Sequence, residues 1–158
     1  MNYNKLSEEE QIELVSANWR IIADITCPSE AVQLAAARQN GLAICSIENP
    51  KTISEAVRLA AVRTHGHVIQ YIKNPSEEIK LAAVNQNAWA IQHIKNPSEA
   101  VQLAAVQQDG WVIQFIEKPS EAVQLAAIRE DPSAIRHIKS PSKEIVVYAD
   151  LMKLGESV

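Results

Sequence analysis

A serine returns at one place in a recurring phrase: Ser7, Ser29, Ser54, Ser76, Ser98, Ser120 and Ser142. The successive differences are 22, 25, 22, 22, 22 and 22 residues. A fixed period in the twenties constrains the fold severely. A repeat this short cannot bury an apolar face alone, so neighbouring repeats must stack and share a core. The 158 residues hold six repeats and open a seventh, and the one longer step contains an insertion around Pro50 to Ile53. The first repeat, "SEEEQIELVSANWRIIADITCP", is degraded but in register: Ile12, Leu14 and Ile22 occupy the slots of Leu34, Ala36 and Ile44. The expected organisation is a single repeat domain over 1–158. It comprises a degraded N-terminal repeat at 7–27, five core repeats at 28–140 and a C-terminal cap at 141–158.

Each repeat reads as two short helices. The first opens at "NPSE", as at Asn74 and Asn96, with Asn as the expected cap, Pro in the first turn and Glu closing a capping box. At the insertion, Thr52 and Glu55 offer the same Thr-x-x-Glu spacing. The following "AVQLAAV" is apolar nearly all round, with Glu99 and Gln102 marking one exposed edge. Such a helix must be covered on most sides, as inside a stack. Asn40, Asn87, Asp109 and Asp131 then precede a second helix, "GWVIQFIEK" in the fifth repeat, and are its expected caps. Gly41, Gly66 and Gly110 read as turn residues between the two. At 100° per residue Val112, Ile113 and Ile116 share one face, and Trp111, Gln114, Phe115 and Lys118 the other. No strand-like alternation occurs. The predicted fold is all-α, an α-solenoid of stacked two-helix repeats closed by a C-terminal capping helix.

The string "PSEAVQLAAVQQDG" resembles a family of short α-helical repeats found in bacterial and phage proteins, known only as a domain of unknown function. More loosely, the chain is similar to HEAT-like and leucine-rich-variant solenoids. The resemblance covers Ser7 to Lys139 and implies the stacked fold, with no catalytic residues to carry over. Its phage setting implies that such a chain can act as an inhibitor by occluding a protein partner.

Comparing the repeats with one another separates two kinds of position. Leu34, Leu59, Leu81, Leu103 and Leu125 repeat one letter, as do Ile44, Ile69, Ile91, Ile113 and Ile135. Such constancy is expected of slots that fill the same gap between neighbours. Three slots of the second helix vary instead. One runs Leu42, His67, Trp89, Trp111, Ser133; the next Cys45, Gln70, Gln92, Gln114, Arg136; the third Ser46, Tyr71, His93, Phe115, His137. Equivalent slots of a solenoid line up as rows, so these rows should tile one exposed face. The candidate binding residues are His67, Gln70, Tyr71, Trp89, Gln92, His93, Trp111, Gln114, Phe115, Arg136 and His137. Exposed aromatic rings are the residues that dominate interfaces. The bland alternative is that Trp89 and Trp111 lie flat between repeats and only seal the stack.

Other features narrow the function. Net charge is −4, against the basic balance usual for nucleic-acid binders. Lys51, Arg58, Arg63 and Lys73 oppose only Glu55 between Pro50 and Asn74, so Arg58, Arg63 and His65 form a candidate anion dock. Glu8, Glu9 and Glu10 suit a first turn and a polar end repeat. Cys27 and Cys45 make no disulfide framework and no zinc spacing. No GxSxG, HExxH or phosphate-cradling loop appears, so no catalytic residue, cofactor or metal is expected. With no leader and no membrane-length apolar run, the expected setting is the cytoplasm. A protein partner is expected first, and a nucleotide or single-stranded nucleic acid is the alternative. The sequence leaves the oligomeric state open.

Overall fold

The structure, a computed structural model, describes residues 2–155. Every regular element among them is helical. The chain divides into two compact units, Met1–Gln86 and Asn87–Val158. The first contains α1 (Glu8–Ala17), α2 (Glu30–Gln39), α3 (Glu55–Thr64) and α4 (Glu77–Gln86). The second contains α5 (Glu99–Val106), α6 (Glu121–Glu130) and α7 (Lys143–Lys153). Within each unit successive α-helices pack side by side in one layer. A second layer is made of six-residue 3-10 segments. Trp19–Asp24, Gly41–Ser46 and Gly66–Tyr71 stack in the first unit; Ala88–His93, Gly110–Phe115 and Pro132–His137 stack in the second.

The second helix of each repeat is therefore 3-10 rather than α. Six residues at ~2.0 Å each span about 12 Å, most of the ~15 Å that a ten-residue α-helix such as α2 spans at ~1.5 Å each. The tighter winding lets a short segment run most of the length of its partner. It also changes which residues align, because positions three apart now eclipse. Gly110, Ile113 and Ile116 form the buried line, while Trp111 and Gln114 form the exposed one.

The α-helix caps also differ from expectation. Ser, not Asn, is the N-cap: Ser29, Ser54, Ser98, Ser120 and Ser142 accept from the backbone N–H three residues on, at 3.3–3.4 Å. Asn74 and Asn96 lie two residues earlier at φ 50° and 48°, in the left-handed region that Asn tolerates better than most residues. Cys27 fills the same slot at φ 51°. At the insertion Thr52 does not cap; its hydroxyl donates to Asn49 O at 2.8 Å. Ser7 with Glu10 forms a full capping box. Glu also sits at the first helical position of α1 to α6, and the next repeat's cap hydroxyl donates to it from Ser29 to Glu8, Ser54 to Glu30 and Ser120 to Glu99. The serine that sets the period thus starts one helix and ties it to the one before.

The core is built from other rows than the leucines. Val32, Val57, Ile79, Val101, Val123 and Ile145 are at most 1% exposed, and so are Ala36, Ala61, Ala83, Ala105, Ala127 and Ala149. Leu34, Leu59, Leu81, Leu103 and Leu125 are half-buried. The buried arc of α5 runs from Val101 through Ala105 to Val106, and Leu103 falls about 60° beyond its edge at 100° per residue. Gln102 is likewise no free edge: its amide donates to Pro97 O at 2.9 Å, as Gln33 does to Pro28 O and Gln124 to Pro119 O.

Glycine at the start of a 3-10 segment answers to packing rather than to a turn. A Cβ on Gly41, Gly66 or Gly110 would fall under 3.0 Å from the carbonyl oxygen of Ala61, Ala83 or Ala127. Each is a backbone atom of the next repeat's α-helix. The C-terminal helix behaves as expected of a cap. Ile145 and Ala149 of α7 are buried, Tyr148 and Met152 are half-buried, and Arg129 Nε donates to the Tyr148 hydroxyl at 3.0 Å.

Candidate functional site

Eight of the eleven candidate binding residues belong to the second unit, and its 3-10 layer brings them onto one face. Asp109 and Asp131 organise it. One carboxylate oxygen of Asp109 accepts from Trp111 N at 2.9 Å and caps the segment Gly110–Phe115. The other accepts from the indole N–H of Trp89, one repeat earlier, at 2.7 Å. Asp131 repeats the device, capping at Ser133 N (2.8 Å) and holding the Trp111 indole at 2.6 Å. The Asp131 carboxyl is held below its ordinary range, first by the Ser133 side chain and backbone N–H, then by the Trp111 indole, with the Arg136 charge adding a smaller effect. Ring contacts complete the fixation. Trp89 meets Phe115 edge to face at 5.5 Å between centroids, and Trp111 meets His137 at 5.0 Å with a 45° tilt.

Sealing and exposure coexist here. The tryptophans do bridge neighbouring repeats, yet Trp89 is 37% exposed, Trp111 43% and Phe115 37%. Each indole spends its single polar hydrogen on an aspartate and leaves a carbon edge in solvent. Gln92 and Gln114 are exposed, but their amides fold back onto Trp89 O (3.0 Å) and Trp111 O (3.2 Å). One of their donors is already used. Arg136 is exposed, and His93 and His137 are half-buried.

His67, Gln70 and Tyr71 belong to the first unit, on the segment Gly66–Tyr71, and all three are exposed. Leu42 is exposed on the preceding segment. Cys45 is beside it, and partial burial pushes its thiol up, away from reactive thiolate character.

The candidate anion dock has other partners. Arg63 pairs with Glu78 at 3.5 Å. His65 Nδ1 accepts from Gly41 N at 3.2 Å. Arg58 and Arg63, five residues apart on α3, stand about 140° apart around it. The three do not form a common cradle. Among the described residues no three His, Cys, Asp or Glu side chains gather as metal ligands. No helix among them is long and apolar enough to cross a membrane.

Two parts of this face escaped sequence reasoning. Asp109 and Asp131 were legible as caps but not as indole acceptors, although the spacing Trp89–Asp109 and Trp111–Asp131 repeats in the sequence. Helical spacing places Lys118 on this face, but not the row it forms with Lys95 and Lys139, one per repeat and exposed just beyond the 3-10 segments. No family model, curated protein or solved structure matches this chain.

Proposed function

We propose that the chain is a non-catalytic binding protein whose second unit takes a protein partner on its 3-10 face. One observation carries the reading: three large aromatic rings on one face stay more than a third exposed while hydrogen bonds and ring contacts hold them in place. A fixed ring loses little entropy on binding, and such rings carry most of the affinity at protein interfaces. Two exposed, unpaired cysteines, Cys27 and Cys45, suit the cytoplasmic setting. The resemblance to phage and bacterial repeats favours occlusion of the partner as the outcome of binding.

The second reading is a nucleotide or single-stranded nucleic-acid binder. The lysines beside the rings favour it. Against it stand the carboxylates of Asp109 and Asp131 among the rings, and the net charge of −4. Affinity selection of displayed peptides on the folded protein tests the choice, with oligo-dT and mononucleotides titrated in parallel. Enriched peptides that wild type binds and Trp111→Ala/Phe115→Ala does not would support protein recognition. Enrichment indifferent to both rings, or oligo-dT binding without peptide binding, would overturn it.

A further inference from the structure

The second unit is electrically two-sided. The exposed charges of its 3-10 segments and the linkers after them are Lys95, Lys118, Lys139 and Arg136 against Glu117, a balance of four minus one, or +3. Its described α-layer exposes Glu99, Glu121, Glu130, Glu144 and Asp150 against Arg129, Lys143 and Lys153, which is −2. Asp109 and Asp131, the N-caps of the same segments, are half-buried and engaged by the indoles, and counting their two charges lowers the balance of this face to +1. Among the described residues Lys95, Lys118 and Lys139 have no acidic partner within ion-pair distance.

Two grooves run across this positive face, one repeat apart. The first, about 650 Å³, lies among Lys95, Pro97, Phe115 and Lys118. The second, about 250 Å³, lies among Lys118, Pro119, His137 and Lys139. Ile116, Glu117 and Lys118 line both, and each groove sets one ring between two lysines, with the Glu117 carboxylate shared at their common wall. Neighbouring α-helices pack ~8–10 Å apart, a distance that about three extended residues cover at ~3.3 Å each. An extended chain crossing the repeats thus meets a ring and a cation at every third residue or so.

We infer that the partner of this face is an extended acidic peptide segment with interspersed large apolar side chains, laid across the grooves at Phe115 and His137. The inference rests on the binding-face reading and names the chemistry of its partner. Apolar side chains cover the exposed edges of Trp89, Trp111 and Phe115, and carboxylates meet Lys95, Lys118, Lys139 and Arg136. A peptide can place neutral residues opposite Asp109, Asp131 and Glu117 and keep its carboxylates for the lysines, which the evenly spaced phosphates of nucleic acid cannot do.

The test uses the full chain and three synthetic peptides of about 12 residues, roughly 40 Å extended. They share their leucine and phenylalanine positions and carry Glu, Gln or Lys between them; oligo-dT is the fourth probe. The Glu peptide should bind tightest, by about tenfold over the Gln peptide at low salt, and should lose that margin as salt rises. The exposed-site variant Lys95→Gln/Lys118→Gln/Lys139→Gln should erase the margin of the Glu peptide over the Gln peptide, and a margin that survives in the variant would overturn the assignment of the lysines. If Gln and Glu peptides bind alike and both depend on Trp111 and Phe115, the acidic partner is wrong while the binding face stands. If only oligo-dT binds, both are wrong.

Discussion

The segment Gly66–Tyr71 in the first unit presents His67, Gln70 and Tyr71 from the same slots in which Gly110–Phe115 in the second presents Trp111, Gln114 and Phe115. Both are six-residue 3-10 segments with a buried Val-Ile pair and a glycine seated under the next α-helix. Their caps differ. Asp109 caps its own segment with one oxygen and grips an indole with the other. His65 makes no side-chain cap bond to its own segment and instead accepts from Gly41 N of the preceding repeat. A carboxylate has an oxygen to spare for a tryptophan; an imidazole acceptor nitrogen has one lone pair and has used it. The backbone is thus common property, and a carboxylate at the cap slot fixes the aromatic of the repeat before it. This is how a repeat keeps its fold while varying one face.

The comparison breaks first at the shared scaffold. Ile113→Ala should cost about 2–5 kcal/mol, the range for a fully buried isoleucine. Leu103→Ala, equally constant in sequence but half-buried, should cost clearly less. Denaturant melts of the two would show whether constancy or burial sets the loss, and equal losses would contradict the buried arc described for α5. Next comes the close approach under Ala127. Gly110→Ala should cost about 1–3 kcal/mol through overpacking, although alanine is otherwise the milder residue. An unchanged melting temperature would mean that α6 gives way freely.

The smallest effect sharpens the role of the cap. The folded-state Asp131 carboxyl titrates below its unfolded value, so its contribution is fully present above the unfolded value of ~3.9 and fades as pH falls through the folded one. Wild type should therefore exceed Asp131→Asn in stability at neutral pH, and the difference should shrink as pH drops below about 4. A difference independent of pH would mean that the ionised carboxylate is not what holds Trp111.

Much of this was legible in the sequence, for stated reasons. The serine period implies stacking because every repeat needs its neighbour's apolar surface. The Asn and Asp caps of the second helix were legible because those side chains bond the backbone two residues on, which is local chemistry. What was not legible depends on the neighbouring repeat. The 3-10 segments are packed against the α-helices of neighbouring repeats, and Ser rather than Asn caps because its hydroxyl also reaches the previous repeat's glutamate. The leucine rows misled because constancy was read as burial, whereas the α-helix buries the valine and alanine rows instead. The candidate face was partly legible: its rings were found from their variation between repeats, but the acceptors that fix them and the lysines beside them carry no unusual letters.

The most direct test of the account is one titration. A peptide selected on the wild type is titrated into Trp111→Ala/Phe115→Ala, with folding followed on the same sample by circular dichroism. A single hot-spot aromatic carries about 2 kcal/mol or more, so with at least one of the two rings a hot spot the account predicts at least a thirtyfold loss of affinity in a variant that keeps its helical signal and a cooperative melt. Undiminished affinity in the folded variant would contradict it, and would leave the two rings as seals of the stack.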